Sequence, residues 1–256
     1  MQVYSAYIAL SRQKPEKFIV KMHSIIEAFI KAFDLIFSFN QELLNIIFLS
    51  LKVSGIALLI AAITGLPIGA LVGLKRFPLR GVTISLMNTF MGLPPVVVGL
   101  FLYLILSRSG PLGFMGLLYT PSAMIIAQTI LAFPIVASLS HSAIVNVAPV
   151  IKQASMTLGA TPFQVTLNMM REARYGIMSG VIAAFGRVMA EVGAILIVGG
   201  NIAGYTRVMT TTIALETDKG NFELAIALGI ILLMISLIIN MVLHLIQRKG
   251  MVKSGI

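Results

Sequence analysis

Five apolar runs constrain this chain more than any other feature. They cover about residues 46–74, 82–106, 122–140, 177–200 and 222–246. Each holds roughly 20 residues or more, the length a helix needs to cross a hydrocarbon layer of about 30 Å. Runs this continuous exclude a lipid-facing barrel, whose strands alternate in polarity. They leave helices, because lipid offers no partner to an open backbone group. Hydrophobic residues make up 58% of the 256-residue chain and charged residues 11%, against about 25% charged in a soluble domain. One soluble core cannot hide that surplus, so the chain reads as an all-α integral membrane protein. The first run is long enough to need a tilt or a bend, which Gly65 with Pro67 offers. The second is interrupted by Pro94-Pro95.

A net charge of +10 would suit nucleic acid in a soluble chain. Here the basic residues fall in alternate connections. Lys75, Arg76, Arg80, Lys152, Arg171, Arg174, Arg248, Lys249 and Lys253 stand on one side, nine against the three of Arg108, Arg207 and Lys219. The positive-inside rule makes the first side cytoplasmic, and nucleic-acid binding is set aside. There is no Cys, hence no disulfide framework and no thiolate metal site. No internal repeat is visible, which gives no support to a transporter of inverted repeats within one chain.

Residues 1–21 carry Arg12, Lys14, Lys17 and Lys21 with no apolar core directly after them, which does not make a signal peptide. Met22 is a second candidate start. Over 22–38, Ser24, Glu27, Lys31, Asp34 and Ser38 share one helical face, and Ile25, Ile26, Phe29, Ile30, Phe33, Ile36 and Phe37 share the other. Charges at the bilayer centre cost about 2.5–3.5 kcal/mol each, so an amphipathic interfacial helix is expected. The alternative is a sixth span whose charges face protein, which a cytoplasmic N-terminal segment would require.

Catalytic inventories are missing. His23, His141 and His244 lie far apart in the chain. There is no His-Glu-x-x-His, no Gly-x-Ser-x-Gly, no carboxylate cluster within a run and no phosphate-binding Gly-x-x-x-x-Gly-Lys-Ser/Thr. The expectation is a chain with no catalytic residue, no metal site and no ATP hydrolysis of its own.

Between the third and fourth runs lies a polar stretch, 141–176, on the cytoplasmic side in either topology. Pro149 can open a helix at its first turn, and Gly159 can close it in a left-handed cap. Thr161-Pro162 then starts a second helix from Phe163 to about Met170, with Phe163, Leu167 and Met170 on one face. A solvated connector is the bland alternative, although loops of this length are usually functional.

Gln153-Ala154-Ser155, three further residues and then Gly159 resemble the EAA loop of permease subunits of ATP-binding-cassette importers, where Glu-Ala-Ala precedes a glycine at the same spacing. Gln153 and Ser155 replace two of that family's letters, and Arg171-Glu172 stands where it often has Leu-Pro. LPPVVVGLFLYLILSRSGPLG at 93–113 resembles the second span and outer loop of the molybdate, tungstate and sulfate permeases. FGRVMAEVGAILIVGGNIAGYTRVMTTTI at 185–213 resembles their fourth span and the loop after it. The tungstate subgroup is nearest, through Arg-Glu-Ala-Arg at 171–174 and Val-Gly-Gly-Asn-Ile at 198–202. The likeness runs in order from about 46 to 247.

This resemblance implies the MetI-like permease fold, with five core transmembrane helices plus the N-terminal amphipathic helix. It divides the chain into an N-terminal segment (1–45), a permease domain (46–247) and a cytoplasmic tail (248–256). It implies a homodimer in a prokaryotic inner membrane, with the pathway between the copies. Two ATPase subunits would grip Gln153, Ala154, Ser155, Gly159, Ala160, Pro162 and Phe163. ATP and Mg would sit on those ATPases, with no cofactor in this chain. An extracytoplasmic binding protein would deliver the oxyanion, tungstate first, then molybdate, then sulfate. A secondary transporter or channel without an ATPase, or a purely structural membrane subunit, is the alternative from another class.

Within the runs, Pro94 and Pro95 remove two N–H donors, and a helix broken at membrane depth points either to a transport path or to a plain kink. Arg187 and Glu191 stand four apart and can pair; they read equally as an anion contact or as an internal packing pair. Gly199-Gly200-Asn201 ends the fourth run with a tight turn. The Thr210-Thr211-Thr212 run beyond it reads as an outer gate, a contact for the binding protein, or an ordinary exposed loop.

Overall fold

The computed structural model describes residues 26–27, 29–31, 33–34, 41–75, 77–147 and 149–252. Helix α1 (Gln41–Leu74) is followed by α2 (Arg80–Phe90), α3 (Pro95–Leu106), a 3-10 turn (Gly113–Met115) and α4 (Pro121–Val145). Two short helices, α5 (Pro149–Thr157) and α6 (Pro162–Glu172), lead into α7 (Arg174–Met189) and α8 (Gly193–Gly199). Then come α9 (Met209–Asp218) and α10 (Phe222–Val252). No strand occurs among the described residues. By length and apolar character α1, α4 and α10 can each cross a membrane. The α2–α3 pair, bent by 100°, and the α7–α8 pair, bent by 57°, raise the number to five if each counts as one span.

Helix α1 runs without interruption through Gly65 and Pro67, about 51 Å long at 1.5 Å per residue, a length that calls for the tilt or bend expected of the first run. Gly65 belongs to a seam. Val53, Ala57, Ala61, Gly65 and Gly69 recur every four residues and are all buried. They let α1 lie directly against α4: a Cβ on Gly69 would fall 2.5 Å from the Ala137 carbonyl oxygen. Between helices in lipid such close contact takes the place of a hydrophobic driving force. Helix α4 is thereby the centre of the bundle, with Met124, Ala127, Gln128, Ala132, Val136 and Ser140 all buried. Outward faces carry Leu59, Ile63, Leu233 and Leu237, each more than half exposed, as suits lipid.

The fourth run, read from sequence as continuous, breaks at 190–192 with no proline present. The polar stretch is also shorter than its sequence suggests, because α4 continues through His141 to Val145 and α7 already begins at Arg174. Of the expected N-terminal amphipathic helix, Ile26, Glu27, Phe29, Ile30, Lys31, Phe33 and Asp34 are described, all helical and exposed. Lys31 forms an ion pair with Glu223 in the first turn of α10. The basic stretch before it and the second start at Met22 lie outside the described residues. Arg80 closes the C-terminal end of α1, its Nε donating to the Val72 carbonyl at 2.8 Å and its Nη2 to that of Gly73 at 3.4 Å, where a cation also suits the helix dipole.

Candidate functional site

The polar stretch folds as the local signals dictate. Pro149 opens α5, and Gly159, at φ +77°, closes it. The Ala160 N–H donates to the Ser155 carbonyl at 3.0 Å and the Gly159 N–H to that of Met156 at 3.1 Å, the pairing of a Schellman cap. Thr161 caps α6 reciprocally with Gln164, and Pro162 takes the first helical position. Two helices thus meet at a sharp glycine turn. Gln153, Ala154, Gly159, Pro162 and Phe163 are exposed, and Ala160 is half-buried. Ser155 turns inward: its hydroxyl donates to the Ile151 carbonyl at 2.9 Å and accepts from the Asn168 amide at 3.5 Å, tying α5 to α6. The buried face of α6 is Val165 and Met169, packed with Ala70, Ile144 and Ile177 of three spans. The expected face of Phe163, Leu167 and Met170 lies further out, with Phe163 76% exposed. Beside the knob a cleft of about 590 Å3 is lined by Lys75, Lys152, Met156 and Phe163, among others.

Pro94 and Pro95 do break the second run. Helix α2 ends at Phe90 and α3 starts with Pro95 at its first position, where a missing N–H costs nothing. Helix α3 then crosses α8 in close contact. A Cβ on Gly99 would lie 2.9 Å from Ala194 Cα, and one on Gly193 would lie 2.9 Å from Val96 Cγ2. The two broken spans therefore meet beside their breaks.

At the second break Glu191 is 2% exposed and Arg187 about a third exposed. The carboxylate accepts from Arg187 Nη1 at 2.8 Å and from the Ala194 N–H at 3.0 Å, so it also caps α8. The unwound carbonyls find donors on other helices: Gln128 Nε2 of α4 reaches Val188 O at 3.1 Å, and the Thr210 hydroxyl reaches Glu191 O at 2.8 Å. Irregular backbone inside a membrane domain needs such partners. A cavity of about 10 Å3 lies against Gln128, Ser50, Ser54 and Thr210, room for about one water.

Gly200 (φ +70°) and Asn201 (φ +50°) make the turn after α8. Gly199 packs on Met124, and a Cβ on Gly200 would meet the Tyr119 ring at 2.8 Å. The threonines beyond do not form an exposed loop. Thr210, Thr211 and Thr212 are buried in the first turn of α9, because Ser50 Oγ accepts the Met209 N–H at 2.9 Å and anchors that turn on α1. The far end of α9 is polar: the Lys219 hydrogen bond, then the Asn221 amide and the charges of Lys219 and Arg207, hold the Glu216 carboxyl below its usual range against the opposing effect of burial.

Residues 65–250 match the family model described as binding-protein-dependent transport system inner membrane component. The chain belongs to this family. As a permease it is a transport subunit and not an enzyme, a multi-pass protein of the inner membrane. It is 44% identical over 228 residues to the tungstate uptake system permease protein TupB of Peptoclostridium acidaminophilum, covering 89% of this chain and all of that one. It is 48% identical over 203 residues to a probable anion ABC transporter permease protein of Haloferax volcanii, covering 77% of this chain and 88% of that one. Among solved structures, a chain of a bacterial ABC transporter that imports the acidic polysaccharide alginate superposes with a TM-score of 0.68 at 18% identity, covering 97% of each chain. That likeness establishes the fold.

The permease brings the two breaks together and holds the polar knob apart from them, at the end of the bundle where α4 stops and α7 starts. Sequence reasoning missed Gln128, Ser50 and Thr206. The Thr206 hydroxyl, fully buried, donates to Gly199 O at 2.6 Å and accepts the Ile202 N–H at 2.9 Å, locking the turn after α8. A buried Gln in an apolar run is the signal that could have found the first of these. Among the described residues no group of three or more His, Asp or Glu side chains is placed to hold a metal.

Proposed function

We propose that the permease carries an oxyanion, tungstate above all, into the cytoplasm as one half of a homodimer driven by two separate ATPase subunits that hold ATP and Mg. The observation that carries the coupling is the cytoplasmic knob. Gln153, Ala154, Gly159, Ala160, Pro162 and Phe163 present an apolar and polar surface beyond the spans, and Ser155 braces it from within. A binding protein on the outer face delivers the ion. The permease domain spans 46–247, with the N-terminal segment 1–45 and the tail 248–256 outside it. Pro94, Pro95, Gly199, Gly200 and Asn201 shape the bends, and Arg187 with Glu191 holds one of them. Tungstate is favoured by the full-length likeness to a tungstate uptake permease; molybdate and sulfate are the ordered alternatives.

The experiment is reconstitution with the ATPase and the binding protein, measuring tungstate transport by elemental analysis. Transport should require ATP and the binding protein, and molybdate should compete better than sulfate. Transport that persists with the ATPase left out would make the chain a secondary transporter instead.

A further inference from the structure

On the cytoplasmic half of the molecule, polar side chains gather on faces where lipid would leave them unsatisfied. Ser138 and Ser142 of α4 and Asn146, the residue that caps its C-terminal end, recur every four residues on one side, with His141 beside them. Asn88 faces them from α2. Together they line a cleft of about 330 Å3 that also takes in Met91, three residues before Pro94. Its lining extends to Asn146, the residue after α4 ends at Val145. Liquid water takes about 30 Å3 per molecule, so the cleft admits a tetrahedral oxyanion with part of its hydration.

Its chemistry is neutral and donor-rich. The Ser138 hydroxyl donates to Asn88 Oδ1, which leaves the Asn88 amide hydrogens turned away from Ser138. Asn88, Ser142 and Asn146 are exposed, and His141 Nε2 is buried without a hydrogen-bond partner. Among the described residues no carboxylate, Lys or Arg lines the cleft. Arg80, the basic residue that opens α2, is not part of the cleft lining and directs its Nε and Nη2 to the Val72 and Gly73 carbonyls. An exposed Asn within a span cannot rest against acyl chains, which offer its amide no partner; it can rest against water. Neutral N–H and O–H groups form charge-assisted hydrogen bonds with an anion. Conduction requires that the ion also leave, which a fixed cation would oppose.

We propose that the α2–α4 cleft is the cytoplasmic half of the oxyanion's route, where the Asn88, Ser142 and Asn146 side chains donate to the ion on its way out. The inference rests on the oxyanion-importer reading above. It places the ion's contacts away from Arg187, whose charge Glu191 already neutralises.

The chain contains no cysteine, so single thiols report on the cleft. The complete importer is placed in proteoliposomes with binding protein and tungstate inside, and external ATP drives tungstate into the medium. Ser142→Cys and Asn88→Cys should react with an impermeant anionic methanethiosulfonate added outside, and that label should lower transport by about tenfold or more, the scale of one lost hydrogen bond to a charged group. Leu86→Cys, on α2 but outside the cleft, should stay unlabelled. Asn88→Leu should lower transport comparably with ATPase binding retained. If both cleft thiols stay unreactive, or react with transport intact, while the parent complex moves tungstate, the route lies elsewhere. A parent complex that moves no oxyanion at all would overturn the underlying reading and this inference with it.

Discussion

At Glu191 one side chain carries the bend in the fourth span. Its carboxylate is shared between the Arg187 guanidinium and the Ala194 N–H, while its own carbonyl takes the Thr210 hydroxyl. A carboxylate this buried needs such partners to offset its lost hydration. The same geometry bears on Arg187, which from sequence read equally as an anion contact or a packing pair. With Glu191 at 2.8 Å its attraction for a passing anion is largely cancelled. Glu191→Ala leaves the Ala194 N–H without an acceptor and Arg187 without its counter-charge. The expected loss is about 2–3 kcal/mol, below the range for fully buried pairs because Arg187 is partly solvated. Glu191→Gln keeps an oxygen for Ala194 and should lose only about 1 kcal/mol. Thermal unfolding of the purified permease in detergent checks the order: parent highest, Glu191→Gln next, Glu191→Ala lowest. Equal midpoints for all three would mean the bend is held by backbone packing alone.

Among elements, the α1–α4 seam decides how tightly the bundle closes. A methyl group on Gly69 has nowhere to go, with the Ala137 carbonyl oxygen 2.5 Å away and the His141 nitrogen 3.1 Å away. Gly69→Ala should therefore cost about 1–3 kcal/mol as the helices are forced apart. Gly55→Ala, in the same helix with nothing within 4 Å, should cost nothing measurable. A thermal-shift comparison of the pair separates packing from helix propensity, and equal shifts would refute the seam. The seam was hidden in the sequence because small residues in an apolar run look the same whether they face lipid or a neighbour. The five runs were legible because length and apolarity alone define them, and the knob was legible because Pro149, Gly159 and Thr161-Pro162 are local signals. The break at 190–192 was not. It has no proline, and the groups that satisfy it come from Gln128, sixty residues from its partner Val188, and from Thr210. The threonine run misled for the same reason, since Ser50, which buries its helix start, lies 159 residues from Met209.

For the whole molecule, the question is how a push from the cytoplasm reaches the breaks. The knob is fastened to the spans at several points. Val165 and Met169 sit among Ala70 of α1, Ile144 of α4 and Ile177 of α7. Gln247 of α10 donates to Tyr175 O at 3.0 Å and Ser179 Oγ at 2.9 Å at the start of α7. Movement of α5 and α6 is thus felt by α7, which carries one bend, and by α4, which lies between both bent pairs. The outer surface of the knob is different in kind: Val150, Met156, Leu158 and Phe163 are 68%, 59%, 87% and 76% exposed. Apolar side chains grouped on an exposed surface beyond the spans mark a contact with another protein. Surface and root should therefore fail differently. Leu158→Asp and Phe163→Asp touch little within the chain, so the permease should fold normally. They should weaken ATPase binding by about 30-fold or more, the effect of losing one strong interface residue. Val165→Ala should leave the ATPase bound but loosen the root, so that less tungstate moves per ATP hydrolysed. Co-purification with the ATPase and transport per ATP, measured side by side, distinguish the two. Surface variants that still bind the ATPase at parental strength would place its contact elsewhere on the cytoplasmic face.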